Sequence, residues 1–169
     1  MVDLTRSIGW PADLLVFRNG RMQIIETTHT LSPFDPGNQR IYDIELNIFA
    51  AAGGIAYLST LTDEQVRQQI KDLDGDERFS LSRYGIPPSR LFQEIERARG
   101  TGFARRLVGQ TGALSFNAIA APIFADEGCI GAISVWWPKT YSTPTAFLKM
   151  HSVRIGQASS AVSEALRRR

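Results

Sequence analysis

Two stretches of the chain pair apolar runs around a turn. Asp13–Arg18 (DLLVFR) and Arg21–Thr27 (RMQIIET) flank Asn19-Gly20. Asn-Gly tolerates the positive φ angles of a two-residue hairpin loop, so two antiparallel strands are predicted. Phe116–Phe124 (FNAIAAPIF) and Cys129–Trp137 (CIGAISVWW) flank Asp126-Glu127-Gly128 and predict a second hairpin. Neither of these later strands alternates cleanly, which implies cover on both faces. Shorter strands are expected at Arg40–Ile44 (RIYDI) and Gly102–Val108 (GFARRLV).

Elsewhere the period is helical. Leu4 and Ile8 stand at i, i+4, and Gly9 and Pro11 would end that segment. A chain that opens inside a structural element reads as a piece of something longer. Ile48–Leu58 (IFAAAGGIAYL) is apolar and small. Its alanines favour helix and its glycines oppose it, so a helix at about Ala51–Ser59 is expected, seated close against other backbone. Thr62 and Gln65 form a capping box for a helix to about Lys71, with Val66, Gln69, Ile70 and Leu73 as its stripe. Pro87-Pro88-Ser89 opens a helix to about Gly100 that buries Leu91, Ile95 and Ala98. Thr143 caps a long last helix with Pro144 at its first position. Its inner side is expected to carry Phe147, Met150, Arg154, Ala158, Ala161 and Ala165, and it ends in Arg167-Arg168-Arg169, cations suited to the negative end of the helix dipole. Thr30–Asn38 and Asp72–Ser82 read as loops. The order predicts an α+β domain, helices on a mainly antiparallel sheet.

Composition narrows the function classes. The 169 residues fit one domain, and the net charge of +2, from 19 basic and 17 acidic residues, does not argue for a nucleic-acid-binding surface. The one cysteine, Cys129, rules out an internal disulfide. Met1–Trp10 carries Asp3 and Arg6 where a signal peptide needs apolar residues, and no window reaches membrane-span length. A cytoplasmic protein without membrane attachment is expected.

Candidate chemistry is sparse. His29 and His151 lie far apart without metal-site spacing, and a structural or surface role is favoured for each. Glu26 and His29 form either a surface polar cluster or a ligand contact. No Gly-x-Ser-x-Gly elbow frames a serine, and Cys129 reads as a small apolar residue rather than a nucleophile. Gly53-Gly54 lacks the following Gly-Lys-Ser/Thr of a phosphate loop. Close helix–sheet packing is the favoured reason for it, with cavity lining the other. Trp136 and Trp137 must point to opposite faces of their strand, so one can be core while the other meets a ligand. Arg105 and Arg106 split likewise: two exposed arginines, or one facing inward toward a carboxylate. No metal site and no cofactor are predicted.

Three ordered stretches carry a resemblance: Phe49–Leu61 (FAAAGGIAYLSTL), Arg97–Phe103 (RARGTGF) and Ala118–Pro138 (AIAAPIFADEGCIGAISVWWP). The chain resembles the effector-binding domain of the IclR family of bacterial transcription regulators. Trp10–Leu14 (WPADL) and Glu26–His29 (ETTH) are similar to the branch regulating breakdown of phenylpropionate-type aromatic acids. The resemblance implies a GAF-like fold: a curved, mainly antiparallel sheet of about six strands, helices on both sides, and a ligand cavity in the concave face. It implies residues 1–169 as a single effector-binding domain, a homodimer or homotetramer, and operator DNA binding only through an N-terminal winged helix-turn-helix outside this sequence.

Carried over by position, the resemblance assigns Ala52, Gly53 and Gly54 to the pocket's small-residue segment and Ser134 to a pocket serine. Ala118 stands where members that bind small acids have cysteine, and Trp136 where they have a small polar residue. These two departures favour a larger, partly apolar or aromatic acid over glyoxylate or pyruvate, with Arg106 at the polar anchor's position and Arg106 or Arg105 neutralising the carboxylate. The expected mechanism is a two-state switch with no catalytic residues. The rival readings are a nucleotide- or metabolite-sensing GAF module of a signalling protein and a GAF-fold enzyme such as a methionine-sulfoxide reductase, for which one cysteine is too few.

Overall fold

The computed structural model describes residues 1–34, 44–108 and 115–168. Asn19 and Gly20 adopt φ of 49° and 78°, and this turn joins β1 (Ala12–Arg18) to β2 (Arg21–Thr27). The second hairpin joins β5 (Phe116–Ala125) to β6 (Gly128–Pro138). With β3 (Glu45–Asn47) and β4 (Ala104–Arg105) these make one six-stranded sheet of order β3-β2-β1-β6-β5-β4, every neighbouring pair antiparallel. The sheet is curled, with helices on both faces, as the GAF-like reading expects.

Two sequence expectations shift here. Residues 40–43 of the predicted strand Arg40–Ile44 lie outside the described residues, and the pairing strand is β3, which follows them. The predicted strand Gly102–Val108 contracts to β4. Gly102 sits at φ 78° and caps the preceding helix, so the chain enters the strand only at Ala104.

One face of the sheet carries α1 (Val2–Ile8) and α5 (Pro144–Arg167). Leu4, Ile8, Ile119, Ile123, Ile133, Val135, Trp137, Phe147 and Ile155 form its core, and Trp137 stacks on Phe147 with ring centroids 3.6 Å apart. Burial on α5 departs from the predicted stripe, since Met150 is exposed while Ser159 and Ser163 are buried. The reason is polar pairing with the sheet. Ser159 Oγ donates to the Pro122 carbonyl at 2.6 Å, and the Phe124 N–H donates to Ser163 Oγ at 3.0 Å. Polar groups satisfied in this way can sit on a buried face that apolar periodicity alone would not assign to them.

The other face carries α2 (Ala52–Leu58), α3 (Asp63–Asp72) and α4 (Pro88–Thr101). Its core includes Leu15, Met22, Ile24, Phe49, Ile55, Leu58, Val66, Leu91, Ile95 and Ala98. The Thr62–Gln65 capping box forms as predicted, and Leu91, Ile95 and Ala98 are the apolar residues α4 buries. The clean two-face burial explains why β5 and β6 do not alternate: both sides of each strand are covered.

Candidate functional site

Directly opposed residues of antiparallel strands point to the same face. Asp13 opposes both Thr27 and Ser134, Ser134 opposes Ala120, and Ala120 opposes Ala104. This row crosses β2, β1, β6, β5 and β4 on the α2 side. The next row begins with Trp136 opposite Ala118. Arg106 continues it, its N–H donating to the Ala118 carbonyl at 3.1 Å. Register thus places Asp13, Ser134, Trp136, Ala118 and Arg106 on one patch of sheet, beneath α2.

Of these residues Arg106 lines the adjoining hollow, whereas Asp13, Ser134, Trp136 and Ala118 do not. Arg106 lines a cavity of about 110 Å³ together with Leu46, Asn47, Ala50, Ala51, Tyr84 and Val108. Asn47 holds the wall in place: its side-chain amide donates to the Ser80 carbonyl at 3.0 Å and its Oδ1 accepts the Phe49 N–H at 2.8 Å. The Leu107 N–H donates to the Ala50 carbonyl at 3.1 Å, tying β4's continuation to the lead into α2.

The predicted small segment is displaced toward its N-terminal side. Ala50 and Ala51 line the cavity, whereas Ala52, Gly53 and Gly54 are buried in packing. A Cβ on Gly53 would come within 2.4 Å of Leu15 Cδ1, and one on Gly54 within 2.3 Å of the Ile48 carbonyl oxygen. These glycines let α2 sit against the sheet and its own lead-in.

The electrostatics of the patch are unusual for its burial. Asp13, 7% exposed, accepts a 2.6 Å hydrogen bond from the Thr27 hydroxyl. Burial pushes its carboxyl up to about 6, against the opposing pull of Thr27, the Trp136 indole, His29 and Arg106. Burial also lowers the Arg106 guanidinium from its ordinary value, and Asp13 and Tyr84 only partly restore it. Arg106 is half-buried and among the described residues has no ion pair within 4 Å.

Arg105 points away from this face. Its backbone N–H and Nη2 bond to Glu94 at 2.9 and 3.4 Å, and Arg97 Nε reaches the same carboxylate at 2.9 and 3.0 Å. The pair of exposed arginines favoured from sequence is therefore not found, since both are half-buried. Glu26 and His29 are not brought together either: Glu26 is exposed and caps the Thr27 N–H, while His29 is buried.

Asp13 is the polar group that sequence reading passed over. Its signal was present, an acid at the head of an otherwise apolar strand, DLLVF. Cys129 lies outside the patch, and burial raises its thiol above the ordinary value, which disfavours the nucleophilic thiolate. No helix of the described residues is long and apolar enough to cross a membrane.

No protein-family model matches the chain. Solved structures do. The C-terminal domain of the E. coli transcriptional regulator KdgR matches over 98% of this chain and 93% of that one, at 19% identity and TM-score 0.74. Thermotoga maritima IclR matches at 16% identity and TM-score 0.76, covering 98% of this chain. This chain spans 64% of that protein's length. The inducer-binding domain of a double mutant of the Acinetobacter transcription factor PobR, in complex with 3-hydroxybenzoic acid, matches over 95% of this chain and 91% of that one at 14% identity and TM-score 0.72. The fold is that of the C-terminal domains of IclR-family transcriptional regulators.

Proposed function

We propose, from a fold shared with the C-terminal domains of IclR-family regulators, that this chain is the effector-sensing domain of such a regulator and that its effector is an organic acid, aromatic in preference to aliphatic. The observation that carries the acid is Arg106, a cation that lines a cavity wall and has no ion pair among the described residues. A charge left unpaired in a partly buried site is costly, and a carboxylate in the cavity relieves that cost by bidentate, charge-assisted hydrogen bonds. Trp136 and Ala118 support the aromatic preference, since they replace polar side chains with a ring face and a gap. The hydroxybenzoate bound to the PobR domain is consistent with that class.

The domain holds its ligand and releases it unchanged. Binding shifts a balance between arrangements of two or four subunits in the cytoplasm, and so repositions operator-binding domains carried elsewhere in the full regulator. The ligand moves that balance only through its difference in affinity for the two states, typically ~1–3 kcal/mol. The regulator character of the structural neighbours, and the raised Cys129 thiol, favour this over a thiol enzyme.

Titration calorimetry with benzoate, 3-hydroxybenzoate, 3-phenylpropionate, glyoxylate and pyruvate tests the reading. Micromolar to low-millimolar binding of at least one aromatic acid, tighter than both aliphatic acids, is expected. Silence from the whole panel at millimolar concentration removes it. A rise in melting temperature with nucleotides alone would favour the signalling-module alternative.

A further inference from the structure

A second hollow adjoins the first. On the outer side of α4 and β4 lies a groove of about 440 Å³ lined by Arg90, Gln93, Glu94, Arg97, Arg105, Arg106, Leu107 and Pro144. Arg106 is common to this groove and to the inner cavity. Arg106 thus stands between two hollows that both reach solvent, the trough outside α4 and the smaller space at the lead into α2.

The groove holds four arginines against one carboxylate, an excess of three positive charges. That carboxylate is already committed. Glu94 is 7% exposed and accepts from Arg97 and from both the backbone and the guanidinium of Arg105. Burial alone would raise its pKa, but these donors more than offset burial and hold it below the usual carboxylate range. It therefore stays ionised and fixes Arg97 and Arg105 in the groove wall. Arg90, exposed on α4, donates to the Leu107 carbonyl at 3.2 Å and leans over the β4 edge toward the same space.

Like charges gathered on one concave surface repel one another unless an anion passes or rests among them. A cleft lined by one sign of charge also focuses field lines and raises the local concentration and arrival rate of opposite charge.

We infer that the Arg90–Arg97–Arg105 groove is the mouth of the effector cavity, a cationic vestibule that gathers small organic anions and passes them inward past Arg106. This deepens the acid-sensor reading and rests on it for the identity of the cargo. Arg90 is a steering residue: it acts on arrival, while Arg106 faces the bound anion.

The test needs no knowledge of the effector. Trp10 and Trp137 are 3% and 0% exposed, so Trp136, half-buried on the patch, is the tryptophan open to quenchers. Its fluorescence is quenched with iodide, caesium and acrylamide at fixed ionic strength, in the unaltered protein and in Arg90→Gln and Arg90→Glu. Iodide quenching is expected to exceed caesium quenching by about threefold, to fall by roughly half in Arg90→Gln and to approach the caesium value in Arg90→Glu, with acrylamide unchanged in both. Equal iodide and caesium quenching in the unaltered protein, or iodide quenching indifferent to both variants, overturns the vestibule. If the iodide pattern holds while no acid binds calorimetrically, the vestibule stands and the effector reading falls; if acids bind without the iodide pattern, the vestibule alone falls.

Discussion

Asp13 of β1 and Arg106 at the end of β4 lie on one face of the sheet, each shifting the other's ionisation, and among the described residues no ion pair within 4 Å joins them. An acid and a base that share a buried face without closing on each other leave a gap between opposite charges. An arriving carboxylate can take the Arg106 side, and in doing so it removes part of what keeps Asp13 ionised.

Removing the cation should remove the acid. Arg106→Gln is expected to weaken binding of the tightest aromatic acid by about 10- to 100-fold, the range of a charge-assisted hydrogen bond of ~1.5–3 kcal/mol. Binding of the corresponding neutral amide should change by less than about threefold. Calorimetry on the two proteins measures both. Equal losses for acid and amide would mean that the variant has altered the cavity's shape rather than its charge.

Asp13 makes stability depend on pH with a definite sign. Its folded pKa is raised from 3.8 to about 6. The folded state therefore favours the protonated form, and the stability this brings is fully present below about 3.8 and lost as pH rises through about 6. At pH 7.5 the ionised, buried carboxylate costs up to about 3 kcal/mol. Asp13→Asn should thus raise the melting temperature at pH 7.5, with the advantage shrinking to near zero by pH 4. A difference independent of pH between 4 and 7.5 would contradict this.

Two glycines should respond in opposite directions. On Gly54 a methyl meets the Ile48 backbone, with the carbonyl oxygen at 2.3 Å and Cα at 2.4 Å, and backbone cannot rotate away. Gly54→Ala should destabilise by about 3 kcal/mol or more in urea unfolding. Gly100, within α4, has no described residue within 4 Å of the added Cβ outside its own helix backbone. Gly100→Ala should stabilise by about 0.5–1 kcal/mol, from helix propensity alone. A mild Gly54→Ala would show that α2 is not pinned to its lead-in.

Trp136 should set ligand class rather than ligand charge. Trp136→Leu is expected to weaken aromatic acids by about 0.5–1.5 kcal/mol relative to aliphatic acids of similar length, the increment for a lost ring–ring contact. The ratio of dissociation constants across matched pairs reads this directly. An unchanged ratio would place the ring elsewhere than over Trp136.

Much of this architecture was legible in the chain. Asn19-Gly20 announced a hairpin because few other pairs accept its backbone angles. Thr62 with Gln65, and Thr143 with Pro144, announced helix starts through local hydrogen bonding. Trp136 and Trp137 had to part to opposite faces by strand geometry alone, and they do. Ser159 and Ser163 were not legible as buried, because their burial depends on carbonyl and amide groups of β5, some forty residues away in sequence. The cavity wall fell on Ala50 and Ala51 rather than Ala52–Gly54 because composition marks a small-residue stretch without saying which of its residues face inward. Asp13 escaped notice because its strand partners come from two other strands, β2 and β6, and only register brings them together.

A crystal structure of the protein with the tightest-binding aromatic acid of the panel tests the account most directly. The acid should lie beneath α2 with its carboxylate within hydrogen-bond distance of the Arg106 guanidinium and its ring against Trp136. A hollow filled by the protein's own side chains, with the acid bound elsewhere or absent, would contradict the account.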